Sequence, residues 1–118
     1  MIGIDIIKIS RMKKLMDRYG DKILEKFLSK SEIELVKNHK TASGFWAVKE
    51  ATSKALGVGI GKECGFHDIT ITKTQNGAPI ISLSEHIINN YCITDTSVSI
   101  THDGEYAIAV VALAKAPK

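Results

Sequence analysis

Cysteine is scarce in this chain of 118 residues: only Cys64 and Cys92 occur, far apart and without a Cys-x-x-Cys pair. A disulfide framework or a thiolate metal site needs more than this, so two separate buried thiols are expected. Long apolar runs are missing too. Ala107 to Ala114 is among the longest, far short of the ~20 residues that cross a bilayer, and no membrane role is expected. No basic n-region with a small-residue cleavage site opens the sequence, so no signal peptide is read and a cytoplasmic protein is expected. The second-half strands lack the aromatic pairs on which bases stack, which disfavours an RNA-binding domain and a nucleic-acid partner generally. His39, His67 and His86 have no mutual spacing suited to zinc. There is no internal repeat, low-complexity segment or long linker.

What remains is ordinary for a globular protein, with 44% hydrophobic and 25% charged residues, and residues 1–118 read as one domain. The net charge is +3, too small to imply nucleic acid by itself, but it is unevenly placed. Between Lys8 and Lys26, seven basic residues (Lys8, Arg11, Lys13, Lys14, Arg18, Lys22, Lys26) face three acidic ones (Asp17, Asp21, Glu25). Such a window is either a solvated helical face or a docking surface for an acidic partner, whose attraction speeds encounter and weakens with salt.

Periodicity divides the chain. Ile2 to Ile9 reads as an apolar strand interrupted by Gly3, Asp5 and Lys8. Ser10 is expected to cap a helix running to about Tyr19, where Met12, Leu15, Met16 and Tyr19 recur at helical spacing and Gly20 suits the C′ position. Asp21 caps a second piece through Leu28. The capping-box spacing from Ser31 to Glu34 starts a short helix to about Asn38. The main helix is expected from Ala42 to Leu56. Then the period becomes two: Asp68 to Lys73, an Asn76-Gly77 turn, and Pro79 to Leu83 form a hairpin. Ser84 caps a helix to Tyr91, and Thr96 to Thr101 pairs with Glu105 to Leu113 around Asp103-Gly104. Helices grouped before antiparallel hairpins predict an α+β fold.

Chemistry concentrates in few residues. Asp5 lies between Ile4 and Ile6, where a lone carboxylate costs several kcal/mol or more unless paired, metal-bound or at an exposed strand end. A lysine partner and a metal are equally good readings. Glu50 and Lys54 are spaced i,i+4, as a surface pair worth roughly 0.3–0.5 kcal/mol would be, and mean little alone. Trp46 lies one turn earlier on that face, and the helix runs into Gly57, Gly59 and Gly61. A glycine run after a helix is neither a Walker loop nor a dinucleotide fingerprint, both of which aim a helix N-terminus at phosphate. Phosphate there needs backbone nests, Lys54, Lys62 or a metal. From its residues alone, His102 reads as a satisfied structural group at a strand end.

Together these stretches resemble the holo-acyl-carrier-protein synthase family, the small bacterial type of 4′-phosphopantetheinyl transferase. Gly3-Ile4-Asp5-Ile6 is similar to the family's N-terminal element. Trp46-Ala47-Val48-Lys49-Glu50-Ala51-Thr52-Ser53-Lys54-Ala55-Leu56-Gly57 resembles its signature helix with the following Gly-x-Gly. Asp68-Ile69, Asn76-Gly77-Ala78-Pro79 and Ser97-Val98-Ser99-Ile100-Thr101-His102 follow in the family's order.

The resemblance implies transfer of 4′-phosphopantetheine from coenzyme A to a serine of an apo acyl carrier protein in fatty acid biosynthesis, with release of adenosine 3′,5′-bisphosphate. It implies Mg²⁺ on Asp5 and Glu50 with diphosphate oxygens and waters, Lys54 on the departing phosphate, and Glu50, directly or through water, as acceptor of the serine proton. Gly57, Gly59 and Gly61 would let backbone approach coenzyme A, and Thr101 and His102 would contact its nucleotide end. The acidic carrier protein would dock on the basic helix through Arg11 and Arg18, with Met12, Leu15 and Met16 as the apolar centre. Members of this length form homotrimers with sites between subunits.

Two departures stand out: the N-terminal strand is slightly short, and Phe45 stands where many members have an arginine that helps bind coenzyme A phosphate, so nucleotide binding there is expected to be either weaker or supplied otherwise, from Lys40 or Lys62. The competing reading is a non-catalytic module that binds coenzyme A or an acidic protein and tolerates loss of Asp5 or Glu50.

Overall fold

The computed structural model describes residues 1–117; Lys118, the last residue of the expected domain, lies outside them. Five strands and five helices follow in the order β1 (Ile2–Lys8), α1 (Ile9–Tyr19), α2 (Asp21–Phe27), α3 (Lys30–Ile33), α4 (His39–Ala55), β2 (Ile69–Lys73), β3 (Pro79–Leu83), α5 (Glu85–Tyr91), β4 (Ile93–Asp103) and β5 (Tyr106–Lys115), with a 3₁₀ turn at Phe66–Asp68. An antiparallel sheet has the order β1-β5-β4, and β2-β3 is a separate hairpin. This is the expected α+β architecture.

The large sheet sorts its side chains by the two-residue period of a strand. One face carries the rows Gly3–Val111–Val98, Asp5–Ala109–Ile100 and Ile7–Ala107–His102, and α4 lies on it. Ala107, Ala109 and Val111 of the middle strand are fully buried. The helix sits so low that a Cβ on Gly3 would come 1.8 Å from the Ala51 carbonyl oxygen. Glycine is there because backbone meets backbone. Alanines and serines along α4 permit the approach, and its buried hydroxyls turn inward: Ser43 donates to the His39 carbonyl and Thr52 to the Val48 carbonyl, both at 2.7 Å.

On the opposite face β1 and β5 present an uncovered apolar patch, while β4 adds Ser97, Ser99 and Thr101. Ile2, Ile4 and Ile6 are 75%, 58% and 57% exposed, with Val110 at 39% beside them.

Two buried ions anchor α4 from its other side. Lys49 Nζ donates to Glu32 Oε1 at 2.8 Å and to the Phe66 carbonyl at 3.0 Å. Glu32 accepts from the amides of Ser29 and Ile71 at 2.7 and 2.8 Å. Burial pushes the Lys49 pKa down, while Glu32 supports its charge. The pair ties α3, α4, β2 and the 3₁₀ turn together with its polar atoms satisfied, as a buried pair must.

Several sequence boundaries move for local reasons. Lys8, not Ser10, precedes α1, because the Ile9 amide bonds the Glu105 carbonyl at 2.7 Å and helical bonding starts at once. The reciprocal cap falls on Ser29 and Glu32 instead of Ser31 and Glu34, and α3 stops at Ile33. Helix α4 begins three residues early because Asn38 Oδ1 accepts from the amides of Lys40 and Thr41 at 3.0 and 3.2 Å. Gly20 and Gly77 adopt positive φ, 61° and 83°, as a helix stop and a tight turn require.

Candidate active site

Strand β1 and helix α4, whose contact Gly3 makes possible, bring together Asp5, Glu50 and Lys54. Lys54 Nζ donates to Asp5 Oδ1 at 2.9 Å, so the lysine partner expected for Asp5 is present, and it is not held by Glu50. Their side chains are 51% and 13% exposed respectively, and the hydrogen bond to Asp5 raises the Lys54 pKa.

Glu50 is half-buried, and its pKa is raised first by burial and then by the negative charge of Asp5, with Lys54 and Arg11 pulling it back. Two carboxylates that repel one another, flanked by cations, are the electrostatic signature of a place that gains from a positive ion. A hollow of about 380 Å³ opens at Asp5 and Lys54, walled by Ile4, Ile6 and Ile108. It wraps the free edge of β1 and joins the uncovered apolar face.

Arg11 projects from basic helix α1 and its charge reaches Glu50. Arg11 and Arg18 are exposed, and Leu15 and Met16 are half-buried. Met12 is only 1% exposed, so it belongs to the core and is withdrawn from the docking surface. Its place in the 3.6-residue pattern does not distinguish a core contact from a partner contact.

The glycines follow α4 directly. Gly57 and Gly59 have φ of 80° and 70°, and their amides donate to the carbonyls of Lys54 and Ser53, at 2.9 and 3.3 Å, while the Gly61 amide donates to the Cys64 carbonyl at 2.9 Å. The first two amides close the helix end, and the third closes the loop that follows. What the glycines leave for a ligand is access to backbone without side chains.

Thr101 and His102 are not brought to the carboxylates within one chain. Thr101 faces outward opposite Ile108. The His102 Nε2–H donates to the Lys40 carbonyl at 3.1 Å, beside a second hollow of about 190 Å³ that also includes Phe45, Gly77 and Pro79. Phe45 and Glu50 project about 140° apart around α4, from the 100° that each helical residue turns. The helix therefore separates the two hollows.

Other groups stabilise the frame. Asp68 accepts from the Gly65 amide, from Ser84 Oγ and from His86 Nε2 at 2.8–2.9 Å; burial opposes its ionisation, but these bonds hold its pKa below the usual value. Ser84 precedes α5 but spends its hydroxyl on Asp68. Both cysteines are free, Cys64 buried and Cys92 only half-buried, and burial, with Asp68 nearby, pushes the Cys64 thiol up to about 11. The Glu32–Lys49 pair was not legible beforehand: Lys49 stands beside Glu50 in the signature helix, but no local pattern distinguishes a buried lysine from an exposed one.

A model of the 4'-phosphopantetheinyl transferase superfamily matches residues 1–111. The holo-[acyl-carrier-protein] synthase of Sulfurimonas denitrificans is 71% identical over 113 residues, 96% of this chain and 93% of that protein. The Helicobacter pylori holo-[acyl-carrier-protein] synthase, solved in complex with coenzyme A, superposes with a TM-score of 0.93 at 50% identity, covering 97% of this chain and 100% of that one. The Bacillus anthracis enzyme, solved with CoA (3',5'-ADP), gives 0.82 at 36% identity over 98% and 96% of the two chains. Sequence over nearly the full length and backbone shape thus agree: this chain belongs to the 4'-phosphopantetheinyl transferase superfamily, in its holo-[acyl-carrier-protein] synthase branch.

Proposed function

We propose that the chain transfers 4′-phosphopantetheine from coenzyme A to a serine hydroxyl of an apo acyl carrier protein. The carrying observation is the convergence at one sheet edge of Asp5, Glu50 and Lys54 with Arg11 of the basic helix. Charge for a diphosphate and charge for an acidic partner adjoin one another, so a docked carrier can present its serine to the bound donor.

The residues present fit Mg²⁺, which takes one or two carboxylates together with substrate phosphates and retained water. Among the described residues no cluster of three His, Cys, Asp or Glu offers an all-protein cage. Asp5 and Glu50 would hold the ion, and bound there it would offset the diphosphate's negative charge.

The chain's own groups do the rest. Glu50, directly or through a water, takes the proton as the serine oxygen attacks the pantetheine-side phosphorus. The P–O bond between the two phosphates breaks, and Lys54 meets the charge on departing adenosine 3′,5′-bisphosphate.

One copy does not make the whole site, because α4 stands between the carboxylates and the His102 hollow. The uncovered Ile2, Ile4, Ile6 and Val110 face adjoins the carboxylate hollow, and an apolar patch of this kind is what association buries. A homotrimer that joins one copy's carboxylates to the next copy's His102 hollow completes the coenzyme A path, with Thr101 and His102 at the nucleotide and the Gly57–Gly61 loop close to the backbone of the ligand.

The test is incubation of the protein with coenzyme A, Mg²⁺ and apo acyl carrier protein. Mass spectrometry should find a phosphopantetheine adduct on the carrier's serine. Tight coenzyme A binding without any adduct would instead support the non-catalytic module.

A further inference from the structure

Phe45 is fully buried, and the ammonium of Lys73 sits 5.7 Å from the centre of its ring. Lys73 ends β2, opposite Pro79 across the hairpin, and is exposed. It makes no ion pair among the described residues. An ammonium resting on an aromatic face, with no carboxylate to neutralise it, is a cation left available to a ligand. Both residues line the 190 Å³ hollow that holds His102. His102 Nε2–H donates to the Lys40 carbonyl, and Nδ1 has no hydrogen-bond partner among the described residues. Gly44 keeps the floor close, since a Cβ there would already stand 3.1 Å from Ile100 Cγ2 and 3.5 Å from His102 Nε2.

Resting on the transferase reading, we infer that Lys73 supplies the cation for the ribose 3′-phosphate of coenzyme A, in place of a basic side chain at position 45. Phe45 takes a packing role and holds the lysine over the hollow from below. The charge that an arginine would bring from the helix comes instead from the hairpin end, and the Asn76-Gly77 turn aims it. Lys40 contributes through its carbonyl, which positions His102. Lys62 belongs to the glycine loop and is not among the residues lining this hollow.

The experiment compares coenzyme A with 3′-dephospho-coenzyme A as donors for the parent protein, Lys73→Ala and Lys73→Arg, by steady-state kcat/KM. The preference for coenzyme A should fall by about 10- to 100-fold in Lys73→Ala, the factor given by losing one charge-assisted hydrogen bond. It should stay within about threefold in Lys73→Arg, which keeps the charge. An undiminished preference in Lys73→Ala overturns the assignment while leaving the transferase reading intact. A parent protein that transfers from neither donor overturns the reading and the assignment together. Circular dichroism of each variant confirms the fold, which an exposed strand-end lysine does not support.

Discussion

Lys54 reaches across 49 positions of sequence to hold Asp5 at 2.9 Å, and leaves Glu50, one turn away on its own helix, without an ion pair among the described residues. In the free protein one cation is therefore bound to one carboxylate while the second stays half-buried, raised in pKa and repelled by the first. On the proposed function, a divalent ion held by Asp5 and Glu50 would offset that repulsion and leave Lys54 for substrate phosphate.

Glu50→Gln should fold and lose transfer by about 10²- to 10⁴-fold, the range for removing a general base. Its stability carries a sign that a purely structural role would not produce. A carboxyl whose folded pKa is raised destabilises the folded state once it ionises, a cost absent at low pH and complete above the folded value. Metal-free Glu50→Gln should therefore melt above the parent at pH 7. The gap should close as pH falls toward the ordinary glutamate value of 4.5. Mg²⁺ with coenzyme A should raise the parent's Tm and not the variant's. A variant less stable than the parent at pH 7 counts against the carboxylate repulsion.

Gly3→Ala places a methyl 1.8 Å from the Ala51 carbonyl oxygen, against helix backbone that cannot swing aside. The expected cost is about 3 kcal/mol or more in urea denaturation, at the upper end for overpacking. Because this contact sets α4 against β1, surviving folded protein should also lose the Tm gain from Mg²⁺ and coenzyme A. Parent-like stability would mean that the helix lies farther from the strand.

Arg18→Asp is a cleaner probe of docking than Arg11→Asp, since the Arg11 charge also acts on Glu50. Carrier-protein affinity should fall about 5- to 10-fold at low salt, mostly in the association rate, with coenzyme A affinity unchanged. The difference should shrink in 0.5 M salt, where the Debye length is under about 5 Å. Equal loss of both affinities would remove α1 as the docking surface.

The sequence made local structure legible wherever chemistry was local. The Asn76-Gly77 turn and strand Pro79–Leu83 fall where two-residue alternation puts them, and Gly20 stops α1 with the φ that its position requires. The cap expected on Ser31 falls on Ser29 because Glu32 is held inward by Lys49 while it accepts from the Ser29 amide, a long-range pairing that no local spacing signals. What was not legible depends on distant pairing. No pattern in Ile2–Lys8 says that its partner is Tyr106–Lys115, and without that sheet the burial of Met12 and the meeting of Lys73 with Phe45 have no signal. The candidate metal residues emerged from the family resemblance, because Asp5 alone fits a lysine partner equally well and has one.

The most direct measurement is anomalous scattering from crystals grown with coenzyme A and Mn²⁺ as an oxygen-preferring substitute for Mg²⁺. The account predicts a single peak bonded to carboxylate oxygens of both Asp5 and Glu50 and to the coenzyme A diphosphate, with Lys54 released from Asp5. Coenzyme A bound in the same crystals with the Lys54–Asp5 bond intact, and the ion elsewhere or absent, would contradict it.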